Sequence, residues 1–181
     1  MASRYDDELW ELVPVDRVPP RDLYGWVESL APARRALDVG CGDGAMSGAI
    51  PAETLTLADV SAVALDRARA RLPGTEAVEL EPDAPLPFPD GSFDLVVCTE
   101  TLEHVRDVQL LLSEVRRVLE PGGRVAITTP AHRRRITAPD PLSPHLRFLT
   151  KRTLGALLDR MGFDTRVLTR RRGGLFAVAS R

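Results

Sequence analysis

LDVGCGDG, Leu37–Gly44, is the stretch that decides the fold. An apolar run, Ala36–Val39, reads as a short buried strand and stops at Gly40. Three glycines then alternate with other residues at positions 40, 42 and 44. Glycine lets the chain turn tightly and lets a ligand approach the backbone without meeting a Cβ. The segment Gly44–Ile50, closed by Pro51, reads as a short helix whose N-terminus would offer unpaired N–H groups and a positive dipole end to an anion.

Outward from this loop the chain alternates strands and helices. Thr54–Ala58 reads as a strand, and Ser61 as the N-cap of a helix ending near Leu72, before the Pro73-Gly74 turn. Thr75–Leu80 is a third strand, and Glu81–Gly91, rich in proline and aspartate, is loop. Phe93–Cys98 is a fourth strand, apolar apart from Asp94. Asp107 caps a helix with an apolar stripe at Val108, Leu111, Leu112, Val115, Val118 and Leu119. Pro121-Gly122-Gly123 breaks it before a fifth strand, Arg124–Thr129. Ala131–Pro144 reads as irregular. Thr150 opens a helix ended by Gly162, and Phe163–Thr169 with Leu175–Ala179 read as a closing hairpin. Upstream, Leu23, Trp26, Val27 and Leu30 place an amphipathic helix over Arg21–Leu30.

This rhythm predicts an α/β fold: one Rossmann-like, doubly wound sheet of seven strands, mostly parallel, with an antiparallel C-terminal hairpin strand and helices on both faces. Residues 1–181 are expected to form one domain, with a helical segment over 1–35, a ligand-binding core over 36–130, and an acceptor-side loop, last helix and hairpin over 131–181. Ligands in such sheets bind at the carboxyl ends of the strands, near the switch in strand order. The loops at Gly40–Gly44, Asp59, Glu81–Ala84 and Cys98–His104 all follow strands and share that rim.

Composition is that of an ordinary globular chain, 44% hydrophobic and 28% charged. No apolar run approaches the roughly 20 residues of a membrane helix, and the acidic N-terminal stretch has no apolar signal-peptide core. Two cysteines, Cys41 and Cys98, make no disulfide framework and no CxxC pair, which suits free thiols in a reducing cytoplasm. Residues 1–130 hold 12 arginines against 23 acids, and residues 131–181 hold 12 basic residues against 3 acids. The last third is therefore basic, with runs at Arg133–Arg135 and Arg170–Arg172, and a solvated surface is its plainest reading. No metal-ligand spacing stands out; Asp6, Asp7 and Glu8 read as a solvated acid cluster.

Asp59 ends the second strand 21 residues after Asp38, where an acid can accept hydrogen bonds from both hydroxyls of a ribose. The loop spacing is G-x-G-x-G, not the G-x-G-x-x-G of a dinucleotide pyrophosphate. A ligand with one ribose and no phosphates fits better than a nicotinamide cofactor.

Four stretches in order, LDVGCGDG, ADVS with Asp59, LPFPDGSFDLVVCTETLEHV (Leu86–Val105) and VLEPGGRVAITTP (Val118–Pro130), resemble the successive motifs of class I S-adenosylmethionine-dependent methyltransferases. The type 11 group, with its ubiquinone and menaquinone methyltransferases, is the most similar, and the resemblance covers about Leu37–Gly162. It implies S-adenosylmethionine as cofactor and S-adenosylhomocysteine as product. Asp38 and the loop of Gly40, Cys41, Gly42 and Gly44 would hold the methionine end. Asp59 would hold the ribose, with Val60 against the adenine. Glu81 or Asp83 would receive the adenine amino group; Asp83, followed by Ala84, is preferred. Cys98 and Thr99 would line the pocket near the sulfonium.

Methyl transfer is an in-line displacement in which alignment of the acceptor does much of the work, and a base is needed only where the acceptor must lose a proton. His145, in SPHLRFLT, and His104, in TLEHV, are the candidate catalytic residues; His132 beside three arginines reads as exposed. Glu100 and Glu103 could orient an amine, and Tyr5, Tyr24 or Trp26 could close over the cofactor, although Trp26 reads more simply as core. The expected acceptor is a small molecule, anionic or carboxylate-bearing to suit the basic end, methylated on O, N or C by a monomer or homodimer. The first helix after the loop and the insertion after the fifth strand are both short, leaving the acceptor site open or completed by a second subunit. Nucleic-acid or protein methylation is disfavoured: the chain shows no basic stripe interleaved with aromatics, and the fourth strand ends in CTET rather than the N/D-PP-Y/F of amino-methylating nucleic-acid enzymes. An S-adenosylmethionine-binding protein without turnover is the remaining alternative.

Overall fold

Alternation along the central strands places the core on both faces of one sheet. In a strand successive side chains point to opposite sides. Val96 and Cys98 accordingly pack with Leu112, Val115, Leu154 and Leu158, whereas Leu95 and Val97 pack with Leu23, Val27 and Leu30. Leu37 and Val39 join the first group and Ala36 the second. A strand buried on both sides needs an unbroken apolar run, which is how these segments read in sequence.

The computed structural model describes residues 2–131, 145–171 and 173–181. The elements are α1 (Ala2–Leu12), α2 (Arg21–Glu28), β1 (Ala33–Val39), β2 (Ala52–Asp59), α3 (Ala62–Arg71), β3 (Glu76–Glu79), β4 (Phe93–Thr99), α4 (Val108–Val118), β5 (Leu119–Pro130), α5 (Lys151–Arg160), β6 (Asp164–Arg171) and β7 (Gly174–Ser180). The sheet order is β3-β2-β1-β4-β5-β7-β6. β1 to β5 pair in parallel, and β7 is antiparallel to both β5 and β6. The seven-stranded doubly wound sheet with its closing hairpin is the fold expected. Its order reverses between β1 and β4, so the crevice for a ligand opens above Gly40 and Thr99.

The caps follow the sequence. Ser61 accepts from the Ala64 amide, Asp107 from those of Gln109 and Leu110, and Thr150 from that of Thr153. Two segments differ from expectation. Gly44–Ile50 forms only a 3-10 turn, Ser47–Ala49, because two glycines and Pro51 leave too few helix-forming residues and Ser47 turns its hydroxyl to Asp38. No α-helix N-terminus therefore follows the glycine loop. β5 begins at Leu119 rather than Arg124: Pro121–Gly123 form a bulge against β4, where the register jumps from Phe93↔Leu119 to Leu95↔Arg124. The N-terminal stretch Ala2–Leu12 is a full helix, and it bears directly on the site.

Candidate active site

β1 and β2 run side by side, with Val39 opposite Ala58, so the glycine loop and Asp59 emerge together. Asp59 is buried and binds the loop to itself. Its Oδ2 accepts from the Gly42 amide at 2.8 Å and its Oδ1 from the Ser61 amide at 3.0 Å. Burial pushes its pKa up to about 6, against the pull of these two amides. Asp38 lies deeper, fully buried. Ser47 donates to its Oδ2 at 2.6 Å, and its Oδ1 is buried without a hydrogen-bond partner among the described residues. Burial raises this carboxyl to about 7, with the Ser47 hydrogen bond opposing and the charge of Asp59 adding. Two desolvated carboxylates and one orphaned oxygen make a place for positive charge and donor groups.

The loop glycines are required by what stands over them. Gly40 has φ +72, and a Cβ there would lie 2.4 Å from Cγ2 and 2.6 Å from Oγ1 of Thr101. Thr101 is held in place by its own hydroxyl, which reaches the Val39 and Thr99 carbonyls at 3.2 and 3.0 Å. Gly42 has φ +55, and a Cβ there would lie 2.4 Å from Cζ2 of Trp10. Cys41 and Cys98 are free and buried; burial pushes both thiols up, out of the nucleophilic range. Cys98 packs in the sheet core, with Sγ directed to the Val39 carbonyl, and Thr99 ends β4 beside it.

Helix α1 lies across this loop. Asp7 Oδ1 accepts from the Ser61 hydroxyl at 2.6 Å and from the Val63 amide at 3.2 Å, at the start of α3. Arg67 donates to the Val13 carbonyl at 2.8 Å. Arg17 lies over the Trp10 ring, 5.4 Å from its centroid, and pairs with the buried Asp43 at 3.0 Å, while Arg71 takes the other Asp43 oxygen at 3.1 Å. Asp6 is partly buried, its carboxyl raised by that burial and lowered by the neighbouring His104. The acid cluster expected to be solvated thus docks onto the site through Asp7. Among the aromatics, Trp10 covers the loop, unforeseen in sequence. Trp26 packs edge-on against Phe176 in the core, and Tyr24 lines a groove with Asp16, Gly44 and Gly48.

On the other side of the crevice, residues 145–149 dock on the turn after β4. The Leu146 amide donates to the Glu103 carbonyl at 2.7 Å. Arg147 donates to the carbonyls of Leu102, Val105 and Arg106. This brings His104 and His145 together, with ring centroids 4.9 Å apart. Partial burial and the charge of His104 lower the pKa of His145. Glu103 is buried beneath them; its Oε2 accepts from Thr129 at 2.9 Å. Glu100 begins this turn with φ +52, and desolvation together with the Glu103 charge raises its carboxyl to about 7. Glu81 and Asp83 are both exposed on the turn after β3, Asp83 at φ +55, followed by half-buried Ala84; Val60 packs at the edge of the main core. His132 and the Arg133–Arg135 run lie outside the described residues, as do Arg172 and the side chains of Tyr5, Arg170 and Arg171.

Comparison with known proteins gives the family and the fold. The pattern of a methyltransferase domain, the type 11 family, matches residues 37–127. A ubiquinone biosynthesis O-methyltransferase of Paracidovorax citrulli is 35% identical over 138 residues, 71% of this chain and 58% of that protein. A demethylmenaquinone methyltransferase of Clavibacter sepedonicus is 36% identical over 131 residues, 70% of this chain and 49% of that one. Among solved structures, an S-adenosylmethionine-dependent methyltransferase of Aquifex aeolicus superposes with a TM-score of 0.68 at 19% identity, covering 97% of both chains. Another from Mesorhizobium loti gives 0.68 at 23% identity, over 88% of this chain and 96% of that one. These two structures share the fold. The chain belongs to the type 11 family of class I methyltransferase domains, whose cofactor is S-adenosylmethionine. It spans about half the length of the curated relatives it matches.

Proposed function

We propose that the chain transfers a methyl group from S-adenosylmethionine to a small-molecule oxygen, nitrogen or carbon acceptor. The observation that carries this reading is the buried pair Asp38 and Asp59 beside a backbone loop with left-handed glycines, one carboxylate oxygen lacking a hydrogen-bond partner among the described residues. S-adenosylmethionine brings a methyl group on a positively charged sulfur, activated for displacement by an acceptor atom. Asp38 and the loop from Gly40 to Gly44 would hold its cationic methionine end, the orphaned Asp38 oxygen gaining a donor. Asp59 would take the ribose hydroxyls on the lone pairs its two amide bonds leave unused. Val60 would flank the adenine, Asp83 would meet its amino group, and Cys98 and Thr99 would wall the site below.

Trp10 stands against Gly42, where a ligand is expected to approach the loop. Cofactor entry therefore displaces Trp10, and α1 works as a cover. The acceptor side is the rim of His104 and His145, where an imidazole takes up a proton if the acceptor hydroxyl must lose one. The two curated relatives are named for quinone methylation, which supports a small ring-bearing acceptor. The buried free thiols suit a reducing cytoplasm, and no helix among the described residues is long and apolar enough to cross a membrane. The test is release of S-adenosylhomocysteine from S-adenosylmethionine with a panel of small phenols and aromatic carboxylates. Acceptor-dependent release is expected. Cofactor binding without release, with phenols and carboxylates alike, would leave a binding protein and overturn the assignment of methyl transfer.

A further inference from the structure

Glu103, His104 and His145 each place one donor atom within 4.8 Å of the others. Two come from the turn after β4; the third arrives 41 residues later in sequence, carried in by the docking of residues 145–149. Glu103 is 2% exposed. Its Oε2 is used by Thr129, but its Oε1 is buried and makes no hydrogen bond among the described residues, 3.9 Å from His104 Nε2. A buried carboxylate oxygen with no donor destabilises the fold unless something fills the place. The nearby cation, Arg147, turns its guanidinium to the carbonyls of Leu102, Val105 and Arg106. A second acid, Asp6 of α1, lies close enough to interact with His104.

We propose that Glu103, His104 and His145 form a binding site for a divalent transition-metal ion at the acceptor rim, next to the cofactor crevice. The donor set of two imidazole nitrogens and one carboxylate oxygen suits zinc or cobalt better than magnesium or calcium, which favour all-oxygen shells. Ligand atoms about 2.0–2.2 Å from a tetrahedral ion stand about 3.3 Å apart. The present spacing closes to that value with side-chain adjustments of about 1 Å, and two of the three residues are partly exposed and can make them. Three protein donors leave a fourth position for water or an oxygen of a bound molecule. With an ion in place the imidazole lone pairs are committed to it and no longer take up a proton.

The test is titration of the full chain with cobalt(II), followed by visible absorption, with zinc(II) displacing it in calorimetry. Wild type is expected to bind one equivalent, with the intense bands of low-coordinate cobalt. His145→Ala, which removes a partly exposed side chain, and Glu103→Gln, which keeps the shape and drops the charge, should each weaken binding at least 10-fold. Thermal melts report whether each variant is folded. Absence of a one-to-one complex in wild type, or equal affinity in His145→Ala, overturns the proposal. S-adenosylhomocysteine binding, measured on the same samples without metal, keeps this outcome separate from the cofactor assignment.

Discussion

Gly40→Ala tests whether the glycine loop is shaped by what packs on it. Gly40 sits at φ +72, a conformation that costs a residue with a Cβ about 1–2 kcal/mol. The new methyl group would also collide with Cγ2 and Oγ1 of Thr101, at 2.4 and 2.6 Å. Thr101 cannot swing aside without giving up its hydrogen bond to the Val39 and Thr99 carbonyls, worth about 1 kcal/mol, and its buried position. Overpacking of this kind adds about 1–3 kcal/mol. The total, about 2–5 kcal/mol, separates into a backbone part and a Thr101 part. Thr101→Ala removes both colliding atoms and leaves the Thr101 Cβ as the nearest remaining neighbour, at 3.1 Å, which a small shift relieves. In that background Gly40→Ala should cost only the backbone part, about 1–2 kcal/mol. Urea unfolding of the four proteins closes the double-mutant cycle, with an expected coupling of about 1–3 kcal/mol. Costs that agree within about 0.5 kcal/mol in both backgrounds would refute the close packing of Thr101 on the loop.

Trp10 should report cofactor binding. In a Trp26→Phe protein it is the sole tryptophan, and S-adenosylhomocysteine should change its emission as α1 leaves Gly42; an unchanged spectrum at saturation would mean that α1 stays where it is. The buried carboxyls set a pH dependence of stability. Asp38 near 7 and Asp59 near 6 bind protons more tightly folded than unfolded, so their contribution is fully present below about 4 and lost as pH rises through 6 and 7. The urea midpoint should fall between pH 5 and 8, and Asp38→Asn should flatten that fall; an Asp38→Asn protein with the wild-type slope would contradict the assignment.

The fold was legible wherever a local rule decided it. The strand before Gly40, the caps at Ser61, Asp107 and Thr150, and the stripe of Val108 to Leu119 each follow from a spacing or a residue type. The misreadings share a cause. Gly44–Ile50 has helical length but spends Ser47 on Asp38, a contact nine residues back that no local pattern encodes. Pro121–Gly123 looks like a break, yet the neighbouring β4 holds the chain extended through a bulge. Within the candidate site, the coming together of Asp38, Asp59 and the glycines is announced by their order. Trp10 and Asp7 are not, because their roles depend on α1 folding back over Gly42 and Ser61. The Glu103, His104 and His145 cluster has no signature spacing in the sequence because its third member comes from a segment stapled in place by Arg147.

Calorimetric titration of S-adenosylhomocysteine into wild type and Asp59→Asn tests the central claim, that the ligand sits on the glycine loop with its ribose at Asp59. The substitution keeps the size of the side chain but leaves one oxygen where two amides and a ribose need acceptors. Loss of a charged hydrogen-bond partner of this kind costs about 1.5–3 kcal/mol, roughly 10- to 150-fold in affinity. Wild type should bind one equivalent, and Asp59→Asn, still folded by its melting curve, should bind at least 10-fold more weakly. No binding to wild type, or equal affinity in the two proteins, would contradict the account.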